Sequence, residues 1–312
     1  MTKKVPGRKA VRREENRSMS IGRFENYTGQ ETEVILPQSI SGKPLAVIAS
    51  KAFLSCKSIE RLVLPESLEL VEDWGFAHMK NLREIVMPMK KIGFGRQVFL
   101  GCDSLERVSL YPAAGAGEGK ELPGLDLLRA SMFRFLPRES PESMMSGAIE
   151  GQKGWPTEYD EALKNYLHRS EDSGFEPAFI GWFDVEDVDD QKEKYILQTK
   201  KDKLRLAFQR LLVERMNEPE GSLRVSDALR EQLSGIIVLY SELVEDWLCR
   251  DNVCGTDIRY YRIWQQAGGL GQGAIDRLLD RLPWEEPEIR AFLMEEKWKQ
   301  ERGENFFEGL SL

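Results

Sequence analysis

Ser58-Ile59-Glu60-Arg61-Leu62-Val63-Leu64-Pro65, Asn81-Leu82-Arg83-Glu84-Ile85-Val86-Met87-Pro88 and Ser104-Leu105-Glu106-Arg107-Val108-Ser109-Leu110-Tyr111 align residue for residue, each 23 residues after the last. An earlier, longer-spaced copy, Glu33-Val34-Ile35-Leu36-Pro37, lies 28 residues before Arg61-Leu62-Val63-Leu64-Pro65. Its five extra residues fall around the turn-rich Ser41-Gly42-Lys43-Pro44. A fixed period in the twenties with aliphatic residues at fixed places predicts a solenoid. One unit cannot bury its apolar face alone, so neighbours stack and share a core.

A second set of columns follows the same step. Phe53, Phe76 and Phe99 are 23 apart, as are Cys56, Met79 and Cys102, and Ile48, Val71 and Phe94 precede each Phe by five residues. These predict a short strand, a turn, and a return through a helical or 3₁₀ turn, with the Phe column filling the wider back of the core. Alternation along a strand sets direction. Val34/Leu36, Leu62/Leu64, Ile85/Met87 and Val108/Leu110 point inward. Two columns then point outward. Glu33, Arg61, Glu84 and Arg107 alternate in sign, and opposite charges at adjacent strands favour register. Ile35, Val63, Val86 and Ser109 form a second column, with three apolar β-branched residues in a row. These eight residues are the candidate partner-binding face. Docking of the chain's own helices on that stripe, or plain strand propensity, would also account for the three apolar residues.

The units resemble the BspA-type leucine-rich repeat family of bacteria and some protists. The resemblance rests on Leu64-Pro65, Val71-Glu72-Asp73-Trp74-Gly75-Phe76, Asn81-Leu82 and Ile48-Ala49-Ser50-Lys51-Ala52-Phe53-Leu54-Ser55-Cys56, with the leader Tyr27 to Pro37, and spans residues 24–111. It implies a curved interaction scaffold, in a family often used for adhesion or host contact.

After the repeats, Pro112 and the Ala/Gly-rich 113–119 up to Pro123 read as a flexible linker. The remainder has helical periodicity. Leu125–Leu136, Thr157–His168 and the Leu204, Ala207, Phe208, Leu211, Leu212 set are core-facing helices. Val225–Arg250 is a long helix with a break expected near Ser234-Gly235, and shorter helices follow near 257–267, 274–282 and 285–299. Residues 255–297 have a helix–loop–helix rhythm that resembles the ankyrin-like tail found after such arrays in bacteria, implying a second interaction module. The expected fold class is therefore α+β multidomain: a short leucine-rich-repeat solenoid with a small parallel sheet, then an all-helical, ankyrin-like domain. The expected divisions are a disordered basic tail (1–22), the repeat domain (23–111), a linker (112–123) and the helical domain (124–312).

Composition narrows the function. The chain has 312 residues, 31% charged, and a net charge of −8. That balance argues against a general nucleic-acid binder. The first 22 residues carry +5 and leave −13 on the rest, so the tail is either a solvated segment or an electrostatic contact for nucleic acid or an acidic partner. No apolar run approaches a membrane span. No apolar stretch follows the basic residues, as a secretory signal would require, and the four cysteines form no dense framework, so a cytoplasmic location is expected.

Catalytic chemistry finds few parts. The histidines are His78 and His168, read as surface or edge residues. Cys249 and Cys254 make one Cys-x₄-Cys pair without further ligands, and Cys56 and Cys102 are two rungs apart, beyond disulfide reach. The Gly268–Gly273 run lacks the Lys-Ser/Thr of a phosphate loop and reads as a helix–helix turn. No cofactor or metal and no enzymatic activity are expected. The reading is a non-enzymatic protein–protein interaction scaffold with an unidentified protein partner; the alternative is a nucleic-acid-associated accessory protein acting through the basic tail.

Overall fold

The structure, a computed structural model, describes residues 21–113, 121–136, 142–176, 188–218, 223–250, 255–282 and 286–308. The basic tail as far as residue 20, the Gly-rich part of the linker (114–120), the Pro137–Pro141 turn, Asp184, Cys254 and Pro283 lie outside those residues. The chain forms two compact units, Met1–Asn165 and Tyr166–Leu312.

The first unit holds the solenoid. Four strands, β2 (Glu33–Ile35), β5 (Arg61–Val63), β7 (Glu84–Met89) and β9 (Arg107–Pro112), make one parallel sheet in the order β2-β5-β7-β9. Glu33, Arg61, Glu84 and Arg107 are directly in register, as are Ile35, Val63, Val86 and Ser109. The return arm of each unit differs from the expected helical or 3₁₀ turn. It is a second short parallel strand: β1 (Gly22–Phe24), β4 (Lys43–Ile48), β6 (Leu70–Val71) and β8 (Gly93–Phe94) stack in that order, and β3 (Ser39–Ile40) pairs antiparallel with β4. The short strands win because stacking on the next rung supplies every backbone partner that a helical turn would have supplied internally.

The turn after each return strand repeats too. Lys51, Trp74 and Gln97 all have positive φ, as do Ser55, His78 and Gly101, at the same 23-residue step. Stacked N–H to carbonyl bonds lock these turns. Lys51, Phe53 and Ser55 donate to Asp73, Gly75 and Ala77; Trp74, Phe76 and His78 donate to Arg96, Val98 and Leu100. Inside lie the Leu and Phe columns. Leu62, Ile85, Met87, Phe53 and Phe76 are fully buried, and Leu110 at the last rung is half-buried. Phe24, Phe53, Phe76 and Phe99 stack in series with centroids 5.0, 5.7 and 5.6 Å apart.

Helices close the last rung. α1 (Leu125–Phe135), α2 (Glu142–Glu150) and α3 (Trp155–His168) follow the solenoid, with α1 packed on β9 and the boundary between the units falling within α3. Phe133 of α1 takes the place of a next rung's Phe, 4.5 Å from Phe99 and 5.5 Å from Phe94. Arg129 is wholly buried. It donates to the Val108 carbonyl of the edge strand at 2.9 Å and to the Ala148 carbonyl of α2 at 2.8 Å, and it pairs with Glu121. Its guanidinium also lies over Trp155, and burial pushes its pKa down to about 10. Ser131 and Tyr159 share a 2.8 Å hydroxyl–hydroxyl bond that joins α1 to α3.

The second unit is helical among its described residues. It contains α4 (Val188–Met216), α5 (Asp227–Leu239), α6 (Ser241–Arg250), α7 (Ile258–Gln266), α8 (Gln272–Arg281) and α9 (Pro287–Glu308). Phe208 of α4, Trp247 of α6 and Tyr260 of α7 meet with centroids 5.3–5.7 Å apart. Glu214 ties α4 to α5 through both nitrogens of Arg230 and accepts from the Val225 N–H. The break in the long 225–250 segment falls at Tyr240, not at Ser234-Gly235. A helical glycine costs only about 1 kcal/mol. Tyr240, by contrast, leaves helical geometry while its hydroxyl donates to Glu171 at 2.6 Å, and Ser241 Oγ donates to the Ile237 and Val238 carbonyls. Gly268 to Gly271 form the turn between α7 and α8.

Candidate functional site

The outer face of the β2-β5-β7-β9 sheet carries all eight candidate residues. Register brings them together: each charged residue stands beside its opposite on the next strand. Arg61 pairs with Glu33 on one side and donates to Glu84 at 2.8 Å on the other. Ser109 donates to the second oxygen of Glu84 at 3.0 Å, which ties the two outward columns together at the last rung. Burial works to raise the Glu84 carboxyl; the bonds from Arg61 and Ser109, with the charges of Arg61 and Arg107, outweigh it and hold the group below the usual carboxylate range. Asp126, in the first turn of α1, lies within electrostatic reach of Arg107 and Glu84, and burial pushes its carboxyl up.

The apolar column is graded along the array. Ile35 is 48% exposed, whereas Val63, Val86 and Ser109 are half-buried. Tyr111, absent from the candidates, explains part of the gradient. It sits on the same face two residues beyond Ser109, in register with Pro88, and its hydroxyl donates to the Leu64 carbonyl at 2.9 Å. The alternation that placed Ser109 outward would have placed Tyr111 there also. A second charged ladder went unread on the other sheet: Arg23 pairs with Glu72, and Arg96 holds Asp73 with two side-chain bonds and its own N–H.

Chemically, the face offers apolar contact and ion pairs in fixed positions. Its ionisable groups already bond to one another, and neither histidine lies on it. His78 occupies a left-handed position in a turn, half-buried beside Trp74, and His168 bonds to Gln232 in the second unit. Cys56 and Cys102 are free thiols; burial raises the first and pushes the second up to about 12, and Cys102 donates to the Phe76 carbonyl. Among the described residues no group of three or more His, Cys, Asp or Glu could hold a metal ion. Among the same residues, no helix is long and apolar enough to cross a membrane.

This geometry defines a leucine-rich-repeat solenoid closed by helices. Residues 19–114 match the family model described as BspA type leucine rich repeat region, in six copies. Among solved structures, the chain is similar to a leucine rich repeat protein of T. pallidum, at 27% identity over 29% of this chain and 42% of that one, with a TM-score of 0.25. The chain thus spans less than half the length of that protein. No curated protein matches it.

Proposed function

We propose that this chain is a non-enzymatic scaffold for protein–protein interaction, acting in the bacterial cytoplasm, and that the outer face of the four-stranded sheet is its contact surface. The observation that carries this reading is the in-register pair of columns on that face. Glu33, Arg61, Glu84 and Arg107 hold one another in place, and Ile35, Val63 and Val86 run beside them. Ordered charges beside an apolar strip supply both the orientation and the desolvated contact that a protein interface needs. The repeat match supports the same reading, since leucine-rich repeats are generally interaction modules. The α7–α8–α9 segment, read as ankyrin-like, would add a second module.

The test is affinity capture from the source cell with the full chain against Ile35→Asp and Val63→Asp. Ile35 is already solvent-accessible, so its variant retains the fold. Loss of the same partners from both folded variants supports the face. An unchanged partner set removes it.

A further inference from the structure

The two ends of the last rung are finished differently. The edge of the main sheet is covered: α1 packs on β9, and Arg129 satisfies the Val108 carbonyl. The turn of the same rung is not covered. In each earlier turn the N–H groups at three alternate positions donate to the next rung. Lys51, Phe53 and Ser55 do so, then Trp74, Phe76 and His78. The equivalent residues of the last turn are Gln97, Phe99 and Gly101. Their carbonyl neighbours Arg96, Val98 and Leu100 accept from the rung before, but their own N–H groups have no partner among the described residues. Phe99 is buried, and a buried N–H without a partner is rare and costly.

These three donors border a groove of about 890 Å³. Its apolar lining includes Trp74, Phe94, Val98, Leu100, Phe133 and Met145. Leu100 is exposed, although the Phe column beside it is closed by Phe133. The side-chain stack therefore has its cap while the backbone ladder ends open.

We propose that this edge receives an extended segment of a partner protein as one further rung. The carbonyls of three alternate residues accept from Gln97, Phe99 and Gly101, in parallel orientation, and apolar side chains of the segment enter the groove. The chemistry selects this occupant. Donors at every second residue match only an extended backbone, because a helix has already used its carbonyls internally. A second copy cannot pair through the same turn, since donors would face donors. The site is separate from the face proposed above and does not depend on it.

A synthetic peptide copying residues 92–101 of this chain is a suitable probe, because those residues already present the Arg96, Val98 and Leu100 carbonyls to the rung before them. It would be added to the full chain and amide hydrogen exchange followed. The expected result is slowing of the Gln97, Phe99 and Gly101 amides by about tenfold or more, with no change at Phe53 or Phe76, whose amides are already paired. The same sequence built from D-residues should give no slowing, and Leu100→Asp should weaken binding of the L-peptide by about tenfold. No slowing at saturating peptide, equal slowing with the D-peptide, or undiminished binding to Leu100→Asp would each overturn the proposal. Concentration-dependent head-to-tail association of the chain that protects the same amides would overturn it in favour of a second copy as the occupant.

Discussion

Replacing Arg129 with Met sets two large effects against each other. The guanidinium is wholly buried, and its low pKa records the cost of holding a charge there. Met removes that cost while keeping most of the stem that packs beside Trp155. Against this, the Val108 and Ala148 carbonyls lose their donors. Each buried acceptor left without a partner costs about 1–3 kcal/mol. Glu121 adds little to the loss because its side chain is 28% exposed and can turn to water. The expected balance is a net destabilisation of about 2–4 kcal/mol, localised to the junction of α1, α2 and β9. Native-state hydrogen exchange is the appropriate assay, because a global melt would mix the two units. Amides of α1 and β9 should exchange roughly 30- to 1000-fold faster, as that free-energy range implies. Adding Glu121→Gln to the variant should cost less than about 1 kcal/mol more. An unchanged or slower exchange in α1 would refute the reasoning, because it would mean that the buried charge is a burden rather than the tie between the cap and the last strand.

Phe76→Ala removes the centre of the aromatic stack, where stacked backbone ladders on both sides prevent collapse; exchange of solenoid amides should report a loss of about 3–5 kcal/mol, with the second unit unaffected. The left-handed turn positions should respond in opposite directions. Lys51→Gly relieves a positive φ and should stabilise the first unit by up to about 1 kcal/mol after the entropy of glycine is counted, whereas Gly101→Ala should destabilise it by about 1–3 kcal/mol, since the new Cβ would strike the His78 ring in a left-handed backbone; denaturant titration of each checks the sign. In the second unit, the Tyr240 hydroxyl and the Lys203 ammonium hold the Glu171 carboxyl below its ordinary value. The stability from that shift is fully present above the unfolded-state pKa of about 4.3 and is lost as pH falls through the lower folded value, so Glu171→Gln should flatten the acid limb of a stability–pH curve read from amides of α4 and α5.

The sequence exposed the parts of the solenoid that depend on side-chain period. Leu62, Ile85 and Phe76 recur because each rung needs the same apolar volume, and the recurrence also placed Ile35, Val63 and Val86 on one outward face. What it hid was carried by the backbone. Leu70–Val71 and Gly93–Phe94 are strands too short to show any alternation, and Lys51 and Trp74 give no hint of a left-handed conformation that glycine or asparagine would have signalled. Arg129 was hidden differently. It sits in an apolar helix, and nothing local says that a charge there is buried against the carbonyl of a strand 21 residues earlier. Tyr240 breaks a helix through a bond to a residue 69 positions away, so local propensity at Ser234-Gly235 pointed to the wrong place.

The charged column also restricts how such an array can change length. Glu33, Arg61, Glu84 and Arg107 alternate at strands about 4.8 Å apart. Duplicating or deleting a single unit would set two like charges side by side, while a change of two units would leave the alternation intact. The apolar columns have no such preference, because every rung offers them the same neighbour. The ion pairs thus give the solenoid a parity: its core can grow one unit at a time, but its outer face can grow only in pairs.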